Sequence, residues 1–196
     1  AERFEQWQLP FTPDNARQAI LAFRGDVYVG LDADSYSQRD FTFAQKSLRI
    51  LSGLYGVLKP LDLIQPYRLE MGSRVSTGDN KDLYGFWGDT ITQALNTELT
   101  GHRNKSVINL ASNEYFKSVR TKQLSGQVIT PVFKDFSKGT YKILGFYAKK
   151  ARGLMASYII KNRLNTPDAM KEFTTDGYRF NEDFSSDTDW VFTRKA

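Results

Sequence analysis

Two β-rich runs joined by a short turn are the feature that most constrains how this 196-residue chain can fold. The first run covers residues 127–136 and the second residues 140–147, and Ser137-Lys138-Gly139 between them is typical of a hairpin. The apolar spacing after the second run predicts a helix over residues 148–164. Because strands and helices mix along the chain without strict alternation, the sequence predicts a mixed α/β fold in which helices flank a mixed sheet.

The same patterns predict the remaining elements, and no repeat or linker divides them. We therefore expect a single domain over residues 1–196. The other predicted elements are helices at 12–25, 40–48 and 83–101, a helix capped by Ser112, a short helix opened by Thr166-Pro167-Asp168, strands at 27–29, 50–51, 107–110 and 190–192, and a long ordered loop at 52–72.

The composition excludes several kinds of site. Without cysteine the chain forms no disulfide and offers no thiolate, and with one histidine it lacks the usual nitrogen ligands of transition metals. No metal site and no cofactor are therefore predicted. No apolar run approaches the roughly 18 residues that cross a bilayer, and the first residues do not read as a signal peptide, so we expect a cytoplasmic protein without membrane contact.

The charges are distributed unevenly along the chain. The sequence has 27 basic and 22 acidic side chains, a formal net charge of +5. Residues 117–163 contain eleven lysines and arginines but one carboxylate, Asp135, so this segment has a net charge of +10 and the rest of the chain −5. The functional prediction is one electropositive surface suited to a polyanion, and the structural alternative is a solvated lysine-rich face.

Cations line both flanks of the apolar stripe of the helix predicted at 148–164. With the hairpin lysines they could contact successive DNA phosphates, with little sequence preference. The predicted nucleic-acid-binding residues are Lys117, Lys134, Lys142, Lys149, Lys150, Arg152, Lys161 and Arg163. The aromatic residues that could stack on unpaired bases, although such residues usually belong to a core, are Phe133, Phe136, Tyr141, Phe146 and Tyr147.

Two loop segments, residues 52–72 and 109–117, form a second candidate site. Glycines after an apolar strand let the backbone approach a ligand, and the loops supply hydroxyls, an arginine and carboxylates. The alternative function is therefore an enzyme acting on a nucleobase or nucleotide. Its candidate catalytic residues, which would have to converge, are Ser52, Tyr67, Arg68, Glu70, Asn109 and Glu114. A purely structural loop would instead pair Arg68 with Glu70.

Four blocks of the sequence are similar to those of one known family. They are residues 51–56 with Lys59-Pro60-Leu61-Asp62, residues 65–72, Asn109-Leu110-Ala111-Ser112 with Glu114-Tyr115-Phe116-Lys117, and residues 146–155. Because the four blocks occur in the same order, the chain resembles the bacterial YaaA family of peroxide stress resistance proteins over essentially its whole length.

The resemblance implies a single-domain mixed α/β fold with a positively charged cleft and a helix-hairpin-helix element. It also implies binding of duplex and distorted DNA, and a role in surviving hydrogen peroxide in which unincorporated iron stays low and oxidative damage is limited. Because one histidine and no cysteine make a poor set of iron ligands, we expect an indirect effect on iron. Iron binding by the acidic residues 168–189 is a weaker alternative.

The family's first segment, an apolar strand followed by Ser-Pro-Ala-Lys, has no counterpart in this sequence. We therefore expect the chain to be truncated at its N-terminal end. If that strand belongs to the sheet, its absence removes one lysine from whatever site the loops form.

Overall fold

The computed structural model describes residues 7–195, and the chain groups into two compact units. The first unit contains residues 7–23, 44–101 and 111–125, and the second contains residues 24–43, 102–110 and 126–195. In chain order the helices and strands are β1 (Arg17–Gln18), α1 (Ala19–Ala22), α2 (Asp26–Leu31), α3 (Gln38–Ser47), β2 (Ile50–Ser52), β3 (Gly56–Leu58), β4 (Leu63–Ile64), α4 (Leu83–Trp87), α5 (Thr90–Thr100), β5 (Ser106–Ile108), α6 (Asn113–Phe116), β6 (Gln127–Ser137), β7 (Thr140–Lys142), α7 (Gly145–Lys161), β8 (Arg179–Phe180) and β9 (Asp189–Arg194).

A five-stranded mixed sheet is the frame of the second unit. Its strands follow the order β5-β6-β9-β8, and β7 also pairs with β6. β5 and β9 run parallel to β6, whereas β7 and β8 are antiparallel to their partners. β6 is the longest strand, and its side chains alternate between buried and more exposed positions, as in a half-buried strand. The mixed sheet with its helices confirms the predicted mixed α/β class.

Aromatic rings dominate the core of the second unit. Phe133 of β6 stacks on Phe192 of β9 with 5.5 Å between the ring centroids, and Tyr178 meets Phe133 edge to face at 5.2 Å. Met155 of α7 is completely buried in the same core. Since burial of one such side chain contributes about 1.5–3 kcal/mol, this cluster holds α7 on the sheet.

α2 crosses α7 at two glycines, so the backbones of the two helices touch. A β-carbon added to Gly153 would lie 1.9 Å from the carbonyl oxygen of Val27, and one added to Gly30 would lie 2.1 Å from that of Lys150. Neither position can accept a side chain, because atoms in protein interiors are already close-packed. The strand predicted at 27–29 is therefore wrong: the valines favour a strand locally, but packing against α7 stabilises the helix Asp26–Leu31.

A buried carboxylate joins β6 to the end of β9. Asp135 is 2% exposed, and it accepts hydrogen bonds from Arg194 Nε at 2.7 Å and from the Tyr178 hydroxyl at 2.9 Å. Arg194 also contacts Asp176 Oδ2 at 2.7 Å. Removing Arg194 would leave the buried carboxylate of Asp135 without a cation, so this network fixes the base of the β6–β7 hairpin.

Two small antiparallel pairs, β1 with β4 and β2 with β3, lie in the first unit. Residues 52–72, predicted as a loop, thus contain β3 and β4. The helix predicted at 12–25 begins only at Ala19, because Arg17 and Gln18 pair with β4 and the amide of Ala19 donates to the carbonyl of Asp62. The core of this unit contains Met71, Leu83, Ile91 and Val119.

The helix predicted at 83–101 is divided into α4 and α5. Gly88 adopts a φ of +47° between them, a conformation that is incompatible with a continuous right-handed helix. Asp82 caps α4 by accepting the amide of Gly85 at 2.8 Å, so the chain provides a separate start for the first piece. The prediction of one continuous helix is wrong, since a period of three to four residues does not reveal a break of two residues.

Most other predicted elements are confirmed, with shifted ends. α3, β2, β5, β6 and β9 lie where the sequence places them, and Ser112 caps α6 by accepting the amide of Tyr115. β7 ends at Lys142 and α7 begins at Gly145, because the chain turns into the helix before the β-rich composition ends. Within residues 7–195, no helix is long and apolar enough to cross a membrane.

The glycine crossing predicts a large stability difference between two substitutions in α7. Gly153→Ala forces the α2 and α7 backbones apart and should destabilise the protein by about 3 kcal/mol or more. Gly145→Ala is the matched control, because its β-carbon meets no atom within 4 Å and alanine favours a helix. Urea unfolding followed by circular dichroism measures both, and equal stabilities of the two variants would contradict the crossing.

Candidate functional site

Two of the predicted nucleic-acid-binding lysines on α7 face carboxylates of the second unit. Lys149 Nζ lies 3.8 Å from Asp26 Oδ2, and Lys150 Nζ lies 3.7 Å from Asp176 Oδ2. All four side chains are exposed enough for solvent to screen these pairs, so each pair is weak. A phosphate would nevertheless have to compete with an aspartate for each lysine.

The cations at the end of α7 are also engaged. Arg163 Nη2 lies 3.1 Å from Asp40 Oδ1, and Lys161 donates to the hydroxyl of Ser35 at 2.8 Å. Hydrogen bonds from Ser37, followed by the charge of Arg163, lower the pKa of Asp40 below its ordinary value. The carboxylate therefore stays ionised beside Arg163 at neutral pH.

Arg152 is half-buried, although the helical wheel predicts it on an exposed flank. Its Nη1 donates to the carbonyl oxygen of Leu110 at 3.3 Å, and its Nε donates to the carbonyl oxygen of Ala148 at 3.3 Å. Burial lowers the pKa of the guanidinium, which nonetheless remains charged. Arg152 thus ties α7 to Leu110, two residues after the end of β5, and this contact uses part of its donor capacity.

The lysines of the hairpin have a different environment from those of α7. Lys138 and Gly139 form a two-residue turn with φ values of +53° and +80°, and Ser137 pairs with Thr140 beneath it. Such turns match the twist of the two strands, which explains why the predicted hairpin forms. Lys138 is exposed at the tip.

One side of the hairpin combines lysines with aromatic rings, and we call Lys134, Phe136, Tyr141, Phe184 and Lys195 the hairpin face. Phe136 meets Tyr141 at 5.2 Å between ring centroids, and Tyr141 meets Phe184 at 5.7 Å. Lys134 Nζ lies 5.3 Å from the centroid of Phe184, and Lys195 Nζ lies 5.3 Å from that of Phe136. The exposed fractions are 40% for Phe136 and 48% for Phe184, so the rings remain accessible.

The hairpin cations form no ion pairs with carboxylates among residues 7–195, in contrast to those of α7. Lys142 is in register with Asp135, on the opposite side from the hairpin face. Lys117 belongs to the first unit, where it lies over the ring of Tyr84 at 4.9 Å. Sequence reasoning missed Lys195 and Phe184, because Lys195 lies beyond the cationic segment and Phe184 within an acidic one.

The second candidate site is partly assembled in the first unit, as a group that we call the tyrosine cluster: Ser52, Tyr67, Glu70, Glu114 and Tyr115. The hydroxyls of Ser52 and Tyr67 lie 2.6 Å apart. Ser52 is completely buried, and its Oγ also accepts the amides of Leu54 and Tyr55. The predicted Ser52 and Tyr67 therefore interact directly.

Glu114 reaches the same loop from α6. Its Oε1 accepts the amide of Gly72 at 2.8 Å, and a β-carbon at Gly72 would lie only 2.9 Å from that oxygen. A side chain at position 72 would therefore require the carboxylate of Glu114 to move. The carbonyl of Glu114 accepts the hydroxyl of Tyr84 at 2.9 Å, which fixes the start of α6.

Both carboxylates of the tyrosine cluster affect the pKa of Tyr115. Burial, followed by the charges of Tyr67, Glu114 and Glu70, raises the pKa of Tyr115 to about 12. Burial also raises the pKa of Tyr67. Both phenols therefore carry their protons at neutral pH and can act as hydrogen-bond donors.

The other two predicted catalytic residues, Arg68 and Asn109, have different surroundings. Arg68 is exposed and forms no ion pair with Glu70 or another carboxylate of residues 7–195, contrary to the structural alternative. Asn109 belongs to the second unit, where it is 8% exposed and its backbone N–H donates to the carbonyl of Ile129 at 2.8 Å. Four of the six candidates, Ser52, Tyr67, Glu70 and Glu114, thus lie in one cluster.

No group of three or more His, Asp or Glu side chains within residues 7–195 is arranged to hold a metal ion. The acidic residues 168–189 use some of their carboxylates in ion pairs, such as Lys171 with Asp168 at 2.8 Å and Arg194 with Asp176. The helix-hairpin-helix element implied by the resemblance stays a prediction.

Comparison with known proteins assigns the chain to a family. The sequence model described as "Peroxide stress protein YaaA" matches residues 1–184. A "UPF0246 protein" of Teredinibacter turnerae is 61% identical over 194 residues, which cover 99% of this chain and 76% of the relative. Proteins of the same description from Saccharophagus degradans and Colwellia psychrerythraea are each 60% identical, and the matches again cover 76% of the relatives and 99% and 100% of this chain.

The fold and its sites define a mixed α/β protein with a cationic, aromatic hairpin and a separate cluster of tyrosines and carboxylates. The chain belongs to the family of the peroxide stress protein YaaA. The predicted family is thereby confirmed, and membership is consistent with a role in the peroxide stress response.

The raised pKa of Tyr115 predicts a loss of stability in alkali. The ordinary pKa of tyrosine is 10.0, and that of Tyr115 in the folded protein is about 12. The unfolded chain therefore loses this proton first, so the stabilisation is complete below about pH 10 and declines as the pH rises towards about 12. Urea unfolding across this range should show the decline, and Tyr115→Phe should reduce it. A decline of the same size in the variant would assign it to other groups.

Proposed function

We propose that this protein contributes to peroxide resistance in the bacterial cytoplasm by binding DNA with little sequence preference. The observation that carries the proposal is the environment of the hairpin lysines. Its lysines have no carboxylate partners among residues 7–195, and accessible aromatic rings lie beside them. This combination of cations and rings suits a strand whose phosphates and bases are both exposed.

Counterion release favours the hairpin lysines over those of α7. A lysine that contacts a phosphate displaces condensed cations from DNA, which makes affinity strongly dependent on salt. Lys134 and Lys138 can do this without giving up an ion pair, whereas Lys149 and Lys150 must first leave Asp26 and Asp176. We therefore assign the leading phosphate contacts to the hairpin lysines and a supporting role to the other predicted cations.

The rings of the hairpin face support a preference for distorted DNA. Phe136 and Phe184 expose nearly half of their surface, yet Tyr141 and two lysines hold them in place. Unpaired bases can stack on such rings, whereas the bases of an intact duplex are already stacked on one another. Damaged or melted segments would therefore bind more tightly than paired ones.

The same mechanism offers an indirect route by which the protein could limit iron damage. Ferrous ions associated with phosphates belong to the counterions that bound lysines displace. Covering the backbone would then move iron away from DNA without any iron-binding site on the protein. This route agrees with the indirect effect on iron that we expect from the amino-acid composition.

A comparison of two double variants with equal loss of charge tests the phosphate contacts. Lys134→Gln with Lys138→Gln should weaken binding to all DNA sequences alike and reduce the salt slope of log K by about 2. Lys149→Gln with Lys150→Gln is the matched control and should change the slope less, because these lysines face aspartates. Fluorescence anisotropy over a salt series measures both. Equal effects of the two pairs, or an affinity insensitive to salt, would overturn the assignment.

A second comparison tests the stacking role of the hairpin face. Phe136→Leu keeps an apolar side chain but removes the ring, so binding to a duplex with an unpaired bubble should weaken by about 1–3 kcal/mol. Binding to the fully paired duplex should change little. Phe86→Leu is the control and should change neither affinity, since Phe86 is 47% exposed, belongs to the first unit and packs on Trp87. Stacking by Phe136 is refuted if Phe136→Leu weakens both duplexes equally.

A further inference from the structure

The hydrogen bonds of Ser52 determine what Tyr67 can still bind. A serine hydroxyl has one proton and two lone pairs. The amides of Leu54 and Tyr55 donate to Ser52 Oγ at 3.2 and 3.0 Å, and these two bonds occupy both lone pairs. Ser52 must therefore donate its own proton to the hydroxyl oxygen of Tyr67, 2.6 Å away.

Tyr67 consequently has a hydrogen-bond donor without an acceptor in the described part of the chain. Its oxygen accepts from Ser52, and its hydroxyl forms no other hydrogen bond within residues 7–195. Burial raises the pKa of Tyr67, so the proton stays in place at neutral pH. A half-buried donor of this kind gains about 1 kcal/mol when a ligand supplies an acceptor.

Glu114 provides the complementary group. One of its oxygens accepts the amide of Gly72, and the other, Oε2, receives no hydrogen bond from residues 7–195. The bond to Gly72 fixes the orientation of the carboxylate, so Oε2 is a positioned acceptor. Glu114 lies against the segment that follows Tyr67, because it accepts the amide of Gly72. The next residue, Tyr115, packs with Leu69 against the buried cluster that contains Met71.

The backbone beneath these groups is rigid. A β-carbon at Gly53 would lie 2.5 Å from the carbonyl oxygen of Leu69, so the Ser52 loop rests directly on the segment that carries Tyr67 and Glu70. Trp87 Nε1 donates to the carbonyl of Gly53 at 3.0 Å and fixes that loop. Tyr55 adds a ring that meets Tyr67 edge to face at 5.4 Å. Donor and acceptor are therefore preorganised before a ligand arrives.

We infer that the tyrosine cluster binds a neutral planar heterocycle that presents both a donor and an acceptor, the chemical class of the nucleobases. The acceptor of the ligand would bind the hydroxyl of Tyr67, and its N–H group would bind Oε2 of Glu114. Two carboxylates with no basic partner among the described residues disfavour an anion such as free phosphate. This site lies in the first unit and is independent of the proposed phosphate contacts of the hairpin.

Ligand-induced changes in melting temperature test the inference. The intact protein is heated with adenosine, guanosine, cytidine or uridine, and separately with inorganic phosphate. At least one nucleoside should raise the melting temperature, because a ligand that binds only the folded state stabilises it. Tyr67→Phe and Glu114→Gln should each weaken that nucleoside about tenfold, since each removes one hydrogen bond.

The variants are chosen to preserve the fold. Tyr67→Phe keeps the ring contacts, and Glu114→Gln keeps an oxygen that can accept the amide of Gly72. Tyr158→Phe in the second unit is the matched control and should bind the nucleoside normally. Lys134→Gln with Lys138→Gln should also bind it normally, which separates this site from the proposed DNA surface.

Three outcomes would overturn the inference. The first is the absence of a shift with all four nucleosides at millimolar concentration. The second is a shift that both Tyr67→Phe and Glu114→Gln retain in full. The third is a shift with inorganic phosphate as large as that with any nucleoside, because an anion alone would then explain the binding.

Discussion

The contact between the backbones of α2 and α7 is the constraint on which the second unit depends. Gly30 and Gly153 let the two helices approach until neither has room for a β-carbon. This approach fixes the rotation of α7, which in turn directs Met155 into the aromatic core and leaves Lys149 and Lys150 beside aspartates. The positions of Lys149 and Lys150 therefore depend on the two glycines at the crossing.

The sequence predicts the elements whose signals are local. Ser112 as a cap and Lys138-Gly139 as a turn are chemical requirements of single positions, and both are found where expected. The strand predicted at 27–29 is wrong because the valines favour a strand by themselves, whereas a partner more than 120 residues away fixes a helix. The break at Gly88 was missed for a related reason. The spacing of apolar residues shows which face of a helix is buried, but it does not show whether the helix is continuous.

For the candidate sites too, the sequence does not reveal contacts between residues that are far apart in the chain. The cationic segment 117–163 is visible in the sequence, but the pairing of its members with Asp26, Asp40 and Asp176 is not, because these aspartates lie far away in the chain. Four of the six predicted pocket residues do lie in one cluster. Tyr115 was not among them, although it packs beside these residues, because no sequence pattern distinguishes it from other core aromatics.

The bond between Asp135 and Arg194 has a consequence for how such sequences can diverge. The two residues are separated by 59 positions, yet each is the main neutralising partner of the other in a buried setting. A lineage that loses Arg194 first leaves Asp135 as a buried carboxylate without a cation, whereas one that loses Asp135 first keeps Asp176 as a partner for Arg194. Arg194 should therefore be replaced only after Asp135, and the base of the hairpin should drift more slowly than Lys138 at its tip.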